Sequence, residues 1–406
     1  MNLIASEQII YKSPSPEDVF CYSPSILVLP SGRILAGFDF GGPGVGKLPG
    51  IKTVSGDSKA GNQGKIIASD DGGKTWIHLA DLAMFHARLF TDGNRVYFLG
   101  HDYGITISAS DDEGETWTDI KLLDDSCQWH QSPCAVHTDE DYIYLTMEKK
   151  VGNAWPDVAP VMMRGKRGTD LTEKANWSFS NPLFYPADLP STLGIPFYKT
   201  GILNPNGADE RYCGPACFLE SHAVKIRDKN HILYDENAIH VWMRQHSGLT
   251  NIAALAKCTI RDDGSMELGL EHSPAGTPML HVPFPGGQMK FDICYDEETK
   301  YYWLAASQTT DSMTRPELLP DDRYGVPDNE RHRLALYFST NMFDWCFAGM
   351  AAIGKTNRHS RHYASMVIFK DDLLILSRSG DENAKSAHNG NLLTLHRVEN
   401  FRKLIY

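Results

Sequence analysis

Short apolar runs separated by turn residues recur along the whole chain. Ser23 to Phe38 reads SPSILVLPSGRILAGF, two apolar runs around a Pro-Ser-Gly turn, which predicts a β-hairpin. Phe85 to Gly100 repeats this around Thr91 to Asn94, and Gln131 to Met147 around Thr138 to Asp141. The same pairing appears in His222 to Ile226 with Ala238 to Met243, Met289 to Tyr295 with Tyr301 to Ala306, and Tyr363 to Phe369 with Leu373 to Ser377. Shorter apolar runs follow the hairpins, among them Lys65 to Ser69, Ile105 to Ser108, Ala253 to Ile260, Leu334 to Ser339 and Asn391 to Val398. The pattern predicts six four-stranded antiparallel units. The last lacks an outer strand, and Gln8 to Tyr11 is placed to supply it. Pro182 to Pro215 has little periodicity and reads as a long covering loop or a weak extra unit.

A repeated turn sets the period. Ser69 to Trp76 reads SDDGGKTW and Ser110 to Trp117 reads SDDEGETW, with the two tryptophans 41 residues apart, the length of one propeller blade. Ser and Asp side chains close such a turn on nearby N–H groups, and Gly supplies a positive φ. Ser339 to Trp345, STNMFDW, is a degraded copy. The expected fold is therefore all-β: a single β-propeller domain over residues 1–406, its circle closed by the N-terminal strand. No composition shift marks a linker.

Composition narrows the function classes. A net charge of −12 argues against nucleic acid as a partner. No basic leader with an apolar run opens the chain and no apolar stretch is long enough to span a membrane, so neither signal peptide nor membrane partner is expected; localisation is left open. The eight cysteines lie mostly in strand patterns. Cys213 and Cys217, with His222 nearby, have zinc-like spacing, but zinc sites usually carry a second ligand pair.

The repeated turns join third and fourth strands, so the opposite face carries the starts of the innermost strands and the ends of the second strands. The innermost starts are Tyr22, His86, His130, His222, Lys290 and Tyr363; the second-strand ends are His101, Glu148, Arg244 with His246, Gln308 and Arg378. Histidine suits proton transfer near neutral pH, and three of six innermost starts are His although the chain has only 16. Arg88 shares a strand face with His86. Arg358, His359, Arg361 and His362 form a basic cluster before Tyr363. An acidic protein with Arg, Lys and His at one mouth points to an anionic ligand.

The Ser-x-Asp-x-Gly-x-Thr-Trp turn resembles the Asp-box of the sialidase-like propeller superfamily. Sialidases hold a substrate carboxylate with three arginines and use a tyrosine–glutamate pair with an acidic Asp. The first of those arginines belongs to an Arg-Ile-Pro motif, and this chain has Tyr22-Ser23-Pro24 there. Ala387 to Arg402, Arg361 to Tyr363, Asp371 to Asp381 and the WHQSP run at Trp129 to Pro133 look like another branch: polysaccharide lyases of the L-rhamnose-α-1,4-D-glucuronate and ulvan type. That resemblance implies seven blades and β-elimination from a uronate. The residues expected in catalysis are His86, His130, Arg244 and Tyr363. Those expected to bind substrate are Tyr22, Arg88, His101, Gln131, His222, His246, Lys290, Arg361, Arg378 and His388. The substrate class is an anionic oligo- or polysaccharide, and the chain is expected to act as a monomer. No cofactor is required, although a propeller channel can hold a structural Ca2+ or Zn2+. The alternatives are a glycoside hydrolase on the same glycans and a glycan-binding propeller. Hydrolysis normally needs two carboxylates, and only Glu148, with Asp39 or Asp292, stands near the expected mouth.

Overall fold

The computed structural model describes residues 3–54, 60–153, 156–186, 216–314, 318 and 329–406. Among the described residues, the regular secondary structure is almost wholly β-strand. The first, β1 (Ser6–Lys12), leads into a four-stranded sheet of β2 (Phe20–Val28), β3 (Ile34–Gly41), β4 (Gln63–Ser69) and β5 (Ile77–Leu82). The second sheet is β6 (Phe85–Asp92), β7 (Arg95–His101), β8 (Ile105–Ser110) and β9 (Lys121–Asp124). In the third, the inner strand is interrupted between β10 (Trp129–His130) and β11 (His137–Thr138), where Pro133 has no N–H to give a ladder. β12 (Tyr142–Lys150), β13 (Val158–Lys166) and β14 (Trp177–Phe179) complete it.

The fourth sheet is β15 (Cys217–Val224), β16 (Ala238–His246), β17 (Ile252–Ile260) and β18 (Met266–Leu270), with β19 (Val282–Pro283) paired to β17. The fifth is β20 (Asp292–Asp296), β21 (Tyr301–Ser307), β22 (Arg333–Ser339) and β23 (Cys346–Ile353). β24 (Arg361–Phe369), β25 (Asp372–Ser379) and β26 (Leu392–Val398) form the sixth, and β1 pairs with β26 as its outermost strand.

Apolar packing closes these sheets into a circle. Each of six buried clusters lies between two consecutive sheets: Leu35 with Phe98, Ile107 with Leu145, Tyr144 with Val241, Trp242 with Tyr302, Trp303 with Ile375, and Phe38 with Leu376 stand for the six contacts. The last joins the sixth sheet to the first. The protein is thus a six-bladed β-propeller, and the seven blades implied by the lyase resemblance do not occur. Every sheet already packs against both neighbours, which leaves no place in the circle for another. Of the stretch read as a weak extra unit, residues 187–215 lie outside the described residues, and so does Cys213 of the zinc-like pair. Cys217 is a buried free thiol.

The Asp-box turns connect the third and fourth strands of blades 1, 2 and 5. Ser69 Oγ accepts from Gly73 N at 2.8 Å, and Asp71 accepts from Lys74 N and Thr75 N at 2.9 Å. Ser110 and Asp112 do the same for Gly114 and Thr116 at 2.8 Å. In the degraded copy Asn341 replaces Asp, and Met342 adopts a φ of 64° where glycine would carry no Cβ penalty.

The circle is locked by charge as well as by a strand. Arg361 on β24 makes two hydrogen bonds to Glu7 on β1, at 2.9 and 2.7 Å, and reaches the carbonyls of Ser360 and Gly380. His396 on β26 is buried beside this pair, 3.5 Å from Glu7. Burial pushes the His396 pKa down to about 4, against the pull of Glu7. An imidazole whose folded pKa lies below its unfolded value favours the folded state above about pH 6.5. As pH falls towards 4 the unfolded chain takes up the proton first, and stability is lost. Stability is therefore expected to fall between about pH 6.5 and 4, and less steeply in His396→Gln, checked by thermal melts across that range. Arg361→Met is expected to destabilise by about 1–3 kcal/mol and to speed hydrogen exchange of the β1 amides.

Candidate functional site

One backbone device recurs in the innermost strands. The pairing register shifts between Tyr22 and Ser25 in β2, Phe85 and Arg88 in β6, Leu219 and His222 in β15, and His362 and Ser365 in β24. Within each shift one residue takes a left-handed conformation: Ser23 (φ 52°), His86 (53°), Glu220 (51°) and Tyr363 (55°). A non-glycine residue held there costs on the order of 1–3 kcal/mol, and such strain clusters at functional sites. A bulge re-aims side chains next to it. Glu220 therefore stands in blade 4 where His86 stands in blade 2, and His222 lies two residues further along the strand.

Two of these residues meet through an arginine. Arg244, opposite Leu219 on β16, donates from Nη1 to Glu220 Oε2 at 2.8 Å and to the Tyr363 hydroxyl at 3.0 Å. Its Nε donates to the Gln288 carbonyl at 2.9 Å. All three side chains are buried. Burial pushes the Glu220 carboxyl up, but the charge and hydrogen bond of Arg244, a hydrogen bond with Tyr363 and the charge of Lys290 outweigh it, leaving Glu220 below the ordinary glutamate range. Burial and the Glu220 charge raise the Tyr363 phenol, opposed by Arg244, Arg331 and Arg378. Neutral pH thus finds an ionised carboxylate beside a protonated phenol. The guanidinium groups of Arg331 and Arg378 lie 5.7 and 5.3 Å from the Tyr363 ring centre.

Histidines form the second half of the site. His101 Nε2 lies 3.3 Å from His86 Nδ1, and the His86 and His130 rings are 5.1 Å apart. His130 Nδ1 contacts Glu148 Oε2 at 3.0 Å. Burial, then the charges of His130 and Arg378, hold His86 well below the ordinary histidine range. Burial raises the Glu148 carboxyl, with His130 partly offsetting it. The other Glu148 oxygen accepts the Glu220 backbone N–H, so the carboxylate that orients His130 also ties down the blade 4 bulge. At the blade 1 side, Arg378 stacks 3.9 Å over the Tyr22 ring and contacts His388 Nδ1 at 3.2 Å, while the Tyr22 hydroxyl reaches Asn389.

The structure brings together His86, His101, His130, Arg244, Tyr363, Tyr22, Arg378 and His388 from the sequence-derived set. Others are placed elsewhere. Arg361 belongs to the circle-closing ion pair with Glu7. Gln131 is fully buried and links blades 3 and 4, donating to Thr146 Oγ1 at 3.0 Å and the Ser221 carbonyl at 2.9 Å. His246 is buried at the end of β16, opposite Cys217. Arg88, His222 and Lys290 are buried beneath the site, Arg88 and His222 past the bulges of their strands. Among the described residues no three His, Cys, Asp or Glu are grouped to hold a metal ion.

Sequence reading missed Glu220 and Arg331, and placed His362 only in the basic cluster before Tyr363. Glu220 is the one acidic residue within the strand CFLESHAV, and that was its signal. Arg331 stands just before β22, and its Nη1 contacts His362 Nδ1 at 3.1 Å. No local pattern singled it out.

No protein-family model and no curated protein matches the sequence. Solved structures do match its fold. Trypanosoma rangeli sialidase aligns with a TM-score of 0.56 at 12% identity, over 100% of this chain and 61% of that one. Penicillium chrysogenum α-L-arabinanase complexed with arabinobiose gives 0.54 at 10%, over 98% of both chains. A mutant Fusarium graminearum α-L-arabinofuranosidase with an iminosugar inhibitor gives 0.52 at 14%, again over 98% of both. The chain therefore has the β-propeller fold found in sialidases and in arabinan-degrading enzymes.

Proposed function

We propose that the protein is a carbohydrate-active enzyme, a glycoside hydrolase acting on an anionic glycan whose reacting sugar carries a carboxylate. The observation that carries this reading is the Glu220–Arg244–Tyr363 constellation, with Arg331 and Arg378 against the same tyrosine. A carboxylated sugar repels a carboxylate nucleophile. A neutral phenol avoids that repulsion, and tyrosine is the nucleophile of sialidases among retaining enzymes. Tyr363 attacks the anomeric carbon as the bond to the leaving oxygen breaks, and Glu220 takes the phenol proton. His130, oriented by Glu148, gives a proton to the leaving oxygen. Water then displaces Tyr363 with His130 as base, Glu220 returns the proton, and the anomeric configuration is retained. The three arginines neutralise the sugar carboxylate. Where a sialidase has its first arginine this chain has Tyr22, and the guanidinium of Arg378 covers its ring. Propellers of the same fold in arabinan-degrading enzymes support a glycan substrate as a class.

A second reading is β-elimination from a uronate, favoured by one observation: His86, held neutral beside His101 and His130, is suited to remove a proton. In that reaction Tyr363 protonates the leaving oxygen. Incubation with a panel of sialylated and uronate-containing glycans separates the two. Hydrolysis releases a reducing sugar without new ultraviolet absorbance. An unsaturated, ultraviolet-absorbing product would overturn hydrolysis in favour of elimination, and binding without turnover on every substrate would overturn both.

Tyr363→Phe and Glu220→Gln are each expected to lower kcat about 10²–10⁴-fold with the fold intact, measured by steady-state kinetics beside circular dichroism. Because Glu220 is held below the ordinary glutamate range, it is more than half ionised at about pH 4.3. The acid limb of kcat/KM that it sets lies below that pH and disappears from the residual rate of Glu220→Gln. The His86 imidazole is expected to stay neutral at pH 6 by NMR, and His130→Gln to raise its pKa by removing a neighbouring charge.

A further inference from the structure

Beneath the site, a cavity of about 380 Å³ runs along the propeller axis, lined by Ser25, Arg88, Cys134, Asp292 and Ser365 among others. Arg88 is its unusual member. The side chain is 1% exposed, and its Nε and Nη1 have no hydrogen-bond partner among the described residues. Nη2 meets only the Met147 sulfur, at 3.5 Å. A buried guanidinium without acceptors is strongly unfavourable, since each N–H has lost water and gained nothing.

The surrounding charges do not compensate it. Lys290, also 1% exposed, donates to the Ala364 carbonyl at 2.5 Å and brings a second positive charge. Both cations press His222 towards its neutral form, after burial itself. The Glu148 charge acts on Arg88, but the Glu148 oxygens are engaged by His130 and the Glu220 N–H. Asp292 accepts the Met366 N–H at 2.7 Å, and burial raises its pKa to about 6.

We propose that the axial cavity beside Arg88 is a binding site for a small inorganic anion of the halide class, with Arg88 as its principal donor and Lys290 as its second positive charge. Arg88 and Lys290, which sequence reading assigned to substrate, thus serve a different ligand. Halide fits better than a sugar carboxylate because Arg88 lies beneath the strand bulges that carry the site. Halide also fits better than a metal ion, because Asp292 already accepts the Met366 N–H while two Arg88 nitrogens have no hydrogen-bond partner among the described residues. The bound anion holds Arg88 two residues from His86 on the same strand, and so supports the bulge that aims His86. The proposal stands independently of the hydrolase reading.

The test uses the full chain, melted in sodium gluconate and titrated with sodium chloride or bromide at constant ionic strength. A saturable rise in Tm with either halide is expected, absent in Arg88→Met. Crystals of the unaltered protein soaked in bromide are expected to show an anomalous peak within hydrogen-bond distance of Arg88. Equal melting in gluconate and halide with no such peak would overturn the proposal, as would an unchanged saturable rise in Arg88→Met. Should that variant fail to fold, the bromide peak in the unaltered protein decides alone.

Discussion

The interruption of ladder pairing at the top of the innermost strands is the constraint on which the site depends. An ordinary inner strand would alternate its side chains between its two faces and give each blade an independent edge of the channel. In β2, β6, β15 and β24 the register instead slips, and one residue takes a left-handed backbone. That conformation is unfavourable for Ser23, His86, Glu220 and Tyr363 alike. It persists because tertiary bonds over-determine it. Asp39 accepts the His86 N–H at 3.1 Å, and Glu148 accepts the Glu220 N–H. Four blades thereby turn chemically useful side chains towards one place from a scaffold that packing alone makes rigid.

Charge then decides what those side chains do. The site holds arginines from blades 4, 5 and 6 on one side and three histidines from blades 2 and 3 on the other. The carboxylates are spread between them: Glu220 with Arg244, Glu148 with His130. Burial alone would raise the pKa of both acids. The arginine wins at Glu220, whereas burial wins at Glu148. Adjacent groups whose environments push their pKa values apart are the pattern from which acid and base roles are assigned.

Much of the fold was legible in the sequence because its signals are local. Turn chemistry in Ser69 to Trp76 and Ser110 to Trp117, and the paired apolar runs, need only neighbours along the chain. They located the hairpins and pointed to the face carrying the site. The blade count was legible too: the pattern gave six, and the resemblance to seven-bladed lyases pointed elsewhere. The candidate site was legible in part. His86, His130, Arg244 and Tyr363 follow from strand starts and ends. The assignment slipped in blade 4, where the bulge displaces the register and puts Glu220, not His222, at the equivalent place. A bulge depends on contacts between strands distant in sequence, so strand alternation cannot reveal it. Arg331 is likewise brought to Tyr363 by tertiary packing, and Arg361 is taken from the site by Glu7 on a strand more than 350 residues away.

Tyr363, flanked by Glu220 and three arginines, is the proposed place of reaction of a carboxylated sugar. A crystal structure of Tyr363→Phe with a carboxylated sugar bound tests this most directly. The sugar carboxylate is expected against the guanidinium groups of Arg244, Arg331 and Arg378, with the anomeric carbon over the position of the missing hydroxyl. A sugar bound with its carboxylate on the histidine side and its anomeric carbon away from residue 363 would contradict it.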